Sequence, residues 1–313
     1  MTMKKTTELL EFHTPENESV IFPVATVEGK SPGPHFVITA GIHGAEYPGI
    51  VSAIRIFNEL DPEEIHGTVK IVTISSLKAF ESRSMFICPV DGKNPNRYFP
   101  GSPDGTYTDV MVNLLFEHII SSADYHLDLH GGDMVEKLEP FTLYHTGADA
   151  ETDQKSREMA YYYGLPNLIA TTSDGTWPDR GSNYANSAEH KIPAIITEVG
   201  GIGQLEQDDV ELHLKGIRNV LRYAGVLKEP PAAPGSITEY QNFVWLYTPV
   251  KGIFFRDISI GDNIQKNQTV GHIEDYFGNT LTDIKAPVTG KILFLTSSPA
   301  MKENALIMGI GEQ

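Results

Sequence analysis

The sequence predicts an α/β domain with a largely parallel sheet, followed by an all-β domain, and three observations predict it. Short runs rich in β-branched and aromatic residues alternate with longer segments of helical apolar spacing up to about residue 227. A proline- and alanine-rich stretch, KEPPAAPGS (228–236), then interrupts the pattern. Beyond it, clustered β-branched and aromatic residues stand between Gly, Asn and Asp turn signals, with no helical periodicity. The expected division is a first domain over 1–228 and a β-rich accessory domain over 236–313.

In order, HFVITAG (35–41) reads as a buried strand, and GIVSAIRIFNEL (49–60) as the helix that follows it. TVKIVTISS (68–76) is a second strand, 78–105 an irregular stretch, and DVMVNLLFEHIIS (109–121) a second helix. ADYHLDLHGG (123–132) and PAIITEVGG (193–201) are apolar strands that run into paired glycines. DDVELHLKGIRNVLRYAGVL (208–227) closes the first domain as an amphipathic helix. In the tail, SIGDNIQKNQTVGHIED and APVTGKI look like the paired hairpins of biotinyl and lipoyl carrier domains. The turn DYFGNT (275–280) has no lysine for a cofactor and Lys285 stands too close to the next strand, so the tail is expected to shape access only.

Composition narrows the function. With 41 acidic against 24 basic residues the net charge is −17, which repels nucleic acid and anionic membrane surfaces. The single cysteine, Cys88, excludes an internal disulfide and reads as a buried or incidental thiol. Neither a signal-peptide core nor a bilayer-length apolar run is present, so a soluble, cytoplasmic protein is expected; a homo-oligomer is compatible with this.

The chemistry-bearing residues stand at strand ends. In GIHGAEYPG, His43 and Glu46 follow directly after a strand, where open α/β sheets build their sites. His130, in DLHGG, ends another strand in the same context. Two imidazoles and a carboxylate with one position left open suit a catalytic Zn²⁺, and thiolates for a closed structural site are lacking. The adjoining glycines are expected to let a substrate approach the backbone. Asp128, two residues before His130 and on its face of the strand, either orients that imidazole or serves as a capping or ion-paired aspartate. Glu198, ending IITEVGG, either carries protons with a pKa raised by burial or sits in a buried ion pair. In KNPNRYFPG, Asn96 and Arg97 together can grip a carboxylate. Arg83 in AFESRS can lend charge to a developing oxyanion, and Arg180 in WPDRGSNY is a further candidate anion contact.

Taken in order, GIHGAEYPG, AFESR, NPNRYFPG, DLHGG and ITEVGG resemble the succinylglutamate desuccinylase and aspartoacylase family over about 35–227, and the tail resembles the C-terminal domain of its bacterial deacylases. The resemblance implies the zinc carboxypeptidase fold, a mixed, largely parallel sheet flanked by helices. It implies one Zn²⁺ on His43, Glu46 and His130, with Glu198 as general base and acid. Asn96 and Arg97 would then contact a substrate carboxylate and Arg83 would polarise the scissile carbonyl. The implied activity is hydrolysis of a small N-acyl amino acid or related amide. A carboxypeptidase on short peptides and a non-catalytic metabolite-binding protein are the alternatives. Two departures bear on the acyl or amine group: Asn94-Pro95-Asn96-Arg97 stands where the family often has Asp-Leu-Asn-Arg, and Met85 where a second arginine is frequent.

Overall fold

The computed structural model describes residues 4–172 and 181–313. Chain order begins with a long hairpin, β1 (Lys4–His13) and β2 (Ser19–Glu28), then β3 (Ser31–Ala40), α1 (Tyr47–Glu59), β4 (His66–Val72), α2 (Leu77–Ser82) and α3 (Tyr107–Leu115). It continues through β5 (Tyr125–His130), β6 (Glu136–Leu138), β7 (Phe141–Thr146), α4 (Ala150–Tyr163), β8 (Asn167–Thr172), α5 (Asn183–Glu189), β9 (Ala194–Glu198) and α6 (Gln207–Tyr223). The remainder is β: β10 (Thr238–Tyr240), β11 (Phe243–Tyr247), β12 (Gly252–Arg256), β13 (Asn263–Ile264), β14 (Thr269–Glu274), β15 (Thr280–Lys285), β16 (Gly290–Thr296), β17 (Ala300–Met301) and β18 (Leu306–Glu312).

Nine strands form one mixed sheet in the order β1-β2-β4-β3-β5-β9-β7-β8-β10. Its centre, β4-β3-β5-β9, is parallel, and β7 runs antiparallel to β9. Central parallel strands are covered on both faces, which is why HFVITA and AIIT read as continuous apolar runs. One face packs Phe36, Ile38, Leu127, Leu129 and Ile195 against α1, α4 and α6. The other sets Val37 and Val72 against α3 and the π-type turn Phe116–Ile120 that extends it. Each such aliphatic side chain, fully withdrawn from water, contributes roughly 1.5–3 kcal/mol.

The predicted sheet, helices and β-rich tail are present, with added detail. The hairpin β1–β2 covers one end of the sheet through the register Lys4↔Glu28 to His13↔Ser19. The irregular stretch holds α2 and a 3₁₀ turn, Pro95–Arg97. In the tail, β11-β18-β16-β13 make one sheet and β15-β14-β12-β17 another around Ile264, Ile273, Ile292 and Ile310. The two parts of the chain also exchange strands. Thr238–Tyr240 leaves the tail to pair in parallel with β8 of the large sheet, and Glu136–Leu138 leaves the large sheet's connections to pair with β16 of the tail.

Candidate metal and catalytic centre

The strands β3, β5 and β9 lie side by side, and their carboxyl ends bring the candidate residues together. His130 and Glu198 are register partners at the ends of β5 and β9. His43 and Glu46 occupy the turn between β3 and α1, with Glu46 at the N-cap of the helix, where the macrodipole favours a negative charge. Gly44 lets this turn pack beneath α2, since a Cβ there would lie 2.2 Å from the Phe80 backbone nitrogen.

His43 Nδ1 lies 2.7 Å from Glu46 Oε1, and His130 Nδ1 2.9 Å from Glu46 Oε2. The three groups are buried, and one ligand atom from each lies within 4.8 Å of the others, an arrangement that can hold a metal ion. Hydrogen bonds on the far side of each ring set the tautomers. Asn94 Oδ1 accepts the Asn96 backbone N–H at 3.0 Å, which fixes the amide's orientation, and therefore accepts from His43 Nε2 at 3.0 Å. Asp128 Oδ2, an acceptor only, takes the His130 Nε2 proton at 3.1 Å. Both Nδ1 lone pairs thus face the carboxylate, and Glu46 Oε2 is buried without an aligned hydrogen-bond donor. Three acceptors converging in a buried site need a cation between them, so the donor set fits a divalent metal.

The same convergence draws protons as well as a metal. Burial works against charging His43 and His130, but Glu46, joined by Asp128 at His130, outweighs it and raises both, His130 well above an ordinary imidazole. The Glu46 carboxyl, which burial alone would push up, is held at about 2 by His130 and His43. Asp128 belongs to a buried polar network: Thr39 Oγ1 donates to its Oδ1 at 2.6 Å and Asn183 Nδ2 to its Oδ2 at 3.1 Å. Such support behind a metal-binding imidazole fixes its orientation.

A cavity of about 1090 Å³ opens onto this cluster, lined by His43, Glu46, Asn96, Arg97 and Glu198 among others. Burial, reinforced by Glu46, Glu136 and Asp128, raises the Glu198 carboxyl well above the usual range although His130 opposes it. Burial pushes the Arg97 guanidinium down to about 10, while Tyr184, Glu136, Tyr247 and Glu198 keep it cationic at neutral pH. Asn96 Oδ1 accepts the Asn183 backbone N–H at 2.8 Å, so its amide nitrogen is the group it can offer a ligand.

Residues 32–224 match the model of the succinylglutamate desuccinylase/aspartoacylase catalytic domain. The chain belongs to this family. It is 27% identical over 262 residues to the N-alpha-acetyl-L-2,4-diaminobutyric acid deacetylase of Halomonas elongata, a match covering 82% of this chain and 75% of that protein. The product-bound structure of the ectoine utilization protein EutE (DoeB) from Ruegeria pomeroyi matches with a TM-score of 0.87 at 22% identity, over 100% of this chain and 98% of that one. A succinylglutamate desuccinylase/aspartoacylase from Rhodobacter sphaeroides matches at 0.85 and 22%, over 98% and 94%. Likenesses at these identities establish the fold.

Within the family frame, some residues stand differently from the sequence expectation. Arg83 caps the end of α2 in the left-handed region (φ 53), is exposed, and is not among the residues that line the cavity; Met85 and Phe86 are. The glycines after His130 and Glu198 mainly admit backbone: a Cβ on Gly132 or Gly201 would lie 2.3 Å from the Glu136 carbonyl oxygen. Arg180 lies outside the described residues. Cys88 is a buried free thiol, as expected. Among the described residues no helix is long and apolar enough to cross a membrane.

Two residues escaped the sequence reading. Asn94 supports His43 as described, and Glu136, on β6, lines the cavity with its carboxyl raised to about 7 by burial, against the Asp133 N–H that donates to it at 3.0 Å. Asn94 carried a signal as the departure from the family's Asp-Leu-Asn-Arg. Glu136 carried none, since DMVEKLEP has the look of an exposed loop.

Proposed function

We propose that this chain is a zinc-dependent deacylase that hydrolyses the amide bond of small N-acyl amino acids. The observation that carries the proposal is the convergence of both Nδ1 atoms on the Glu46 carboxylate, with Glu198 in the same cavity. Two imidazoles and a carboxylate suit Zn²⁺ with a position left open. When bound there, the ion supplies Lewis-acid polarisation of a carbonyl and a lowered pKa for a neighbouring water. Glu198 takes the proton from water as its oxygen adds to the amide carbon, then delivers it to the amine nitrogen as the C–N bond breaks. The products are a carboxylic acid and a free amine. Arg97, with the Asn96 amide, holds the substrate carboxylate and thereby sets the scissile bond against Glu198. The Halomonas relative, a deacetylase of an acetylated amino acid, supports this substrate class.

The direct test is to incubate the zinc-loaded protein with N-acyl amino acids, N-acetyl-2,4-diaminobutyrate included, and to quantify freed amine. Equimolar acid and amine are expected; no freed amine across the panel would refute the assignment.

Two further results are expected. Arg97→Ala lowers kcat/KM by about 10–150-fold, mostly through KM, because a charged hydrogen-bond partner of the substrate is lost. Arg83→Ala stays within about threefold, well short of the ~100–1,000-fold that accompanies loss of an oxyanion donor. Steady-state kinetics of the two variants decide between these arginines. The second result concerns pH. Metal ligation needs neutral imidazoles, and the pKa values of His43 and His130 are raised, so protons compete from above the ordinary histidine range. Zinc retained after dialysis should therefore decline as pH falls towards about 6.5. Full retention down to about pH 5 would contradict it.

A further inference from the structure

The cavity is larger and more apolar than the reaction core requires. At about 1090 Å³ it lies just above the ~300–1,000 Å³ span of pockets that enclose drug-sized ligands. The polar groups needed for an N-acyl amino acid, His43, Glu46, Asn96, Arg97 and Glu198, form one cluster. Much of the wall beside them is hydrocarbon, interrupted by Glu136, Thr296, Ser298, Lys302 and Asn304. In the β7–β9 register Phe141 is opposite Glu198 and Leu143 opposite Ile196, so these three apolar side chains share the face that presents the base. The tail closes the other side. Phe141 packs on Phe243 with ring centroids 5.8 Å apart, Phe243 on Trp245 at 4.7 Å, and Trp245 on Phe294 at 5.1 Å; Phe141, Trp245 and Phe294 all line the cavity. Ile253 and Met301 extend this wall from β12 and β17. Met85, which stands where a second arginine is frequent in the family, and Phe86 add exposed apolar surface to the same cavity.

We infer that the substrate carries a sizeable apolar group, an aliphatic chain or aromatic ring of several carbons, which packs between the β7–β9 face and the aromatic wall of the tail. The inference rests on the deacylase reading and specifies its substrate class: N-acyl amino acids with a hydrophobic acyl chain or a hydrophobic side chain. Phe141, Leu143, Ile196 and Phe294 are the buried floor of this wall, 3–5% exposed, whereas a substrate with polar groups alone leaves the half-buried Trp245 and Ile253 and the exposed Met85 and Phe86 facing water. Each methylene placed there gains roughly fourfold in affinity, the equivalent of about 0.8 kcal/mol.

Binding separates this inference from the reaction itself. Two series are titrated calorimetrically into the zinc-loaded protein at several temperatures: glycine acylated with acetyl, butanoyl, hexanoyl and octanoyl groups, and N-acetyl amino acids from glycine through alanine and norvaline to norleucine. In at least one series affinity should climb roughly fourfold per methylene, with an increasingly negative heat-capacity change as apolar surface is buried. The series that climbs identifies which side of the amide carries the apolar group. Ile253→Asp should weaken the longest ligand by about tenfold or more, with an unchanged melting temperature and circular-dichroism spectrum as the check on folding. Flat or falling affinity in both series overturns the inference. Climbing affinity with no freed amine supports the apolar subsite and overturns the deacylase reading instead.

Discussion

Glu198→Gln should leave one zinc per chain and lower kcat by about 10²–10⁴-fold, the range associated with removing a positioned acid–base group. The substitution keeps the shape of a side chain at the end of β9 beside His130 but cannot accept a proton. Because burial and the neighbouring Glu46 and Glu136 raise the carboxyl, replacing it with a neutral amide removes a desolvated charge, and the melting temperature should hold or rise. Metal analysis, thermal melting and turnover of the same preparation form the test. Near-normal turnover would end the assignment of Glu198, whereas loss of zinc would show that it helps to hold the metal.

His130→Ala is the second large effect. It removes a buried imidazole and leaves the Glu46 and Asp128 carboxylates, 2.9 and 3.1 Å from the lost ring, without the group between them. Zinc should be absent after dialysis and hydrolysis undetectable, with destabilisation of about 3–5 kcal/mol from the uncompensated buried charges. Asp128→Asn in the same background should recover part of that stability without restoring zinc. A His130→Ala protein that keeps stoichiometric zinc would remove His130 from the ligand set.

What could be read from the chain follows from how far each feature depends on its neighbours in sequence. A strand that ends in a histidine or carboxylate before glycine is a local pattern, so GIHGAE, DLHGG and ITEVGG announced both their elements and the side chains that gather at the strand ends. Parallel register then brought them together, as it must when β3, β5 and β9 adjoin. Helix α4 was not legible, because AETDQKSREMAYYY is mostly polar and its apolar stripe is narrow. Arg83 resembled an oxyanion donor in sequence, but α2 ends on it in a left-handed turn and its side chain is exposed. Glu136 and the aromatic wall were hidden for a different reason. Glu136 is held there by backbone contacts with residues 133 and 202, and the aromatic wall comes alongside through pairings such as β6 with β16, between segments more than 150 residues apart, as Phe294↔Leu138 shows.

That pairing and its counterpart, β10 on β8, also constrain how such a protein can change over generations. A tail joined end to end could be lost or replaced in one recombination event, leaving the other part intact. Here each part completes the other's sheet, so a transferred tail must match two hydrogen-bonded seams at once. Innovation in the pocket is therefore channelled into single substitutions along the shared wall, where Trp245 and Phe294 can drift in size while both seams persist.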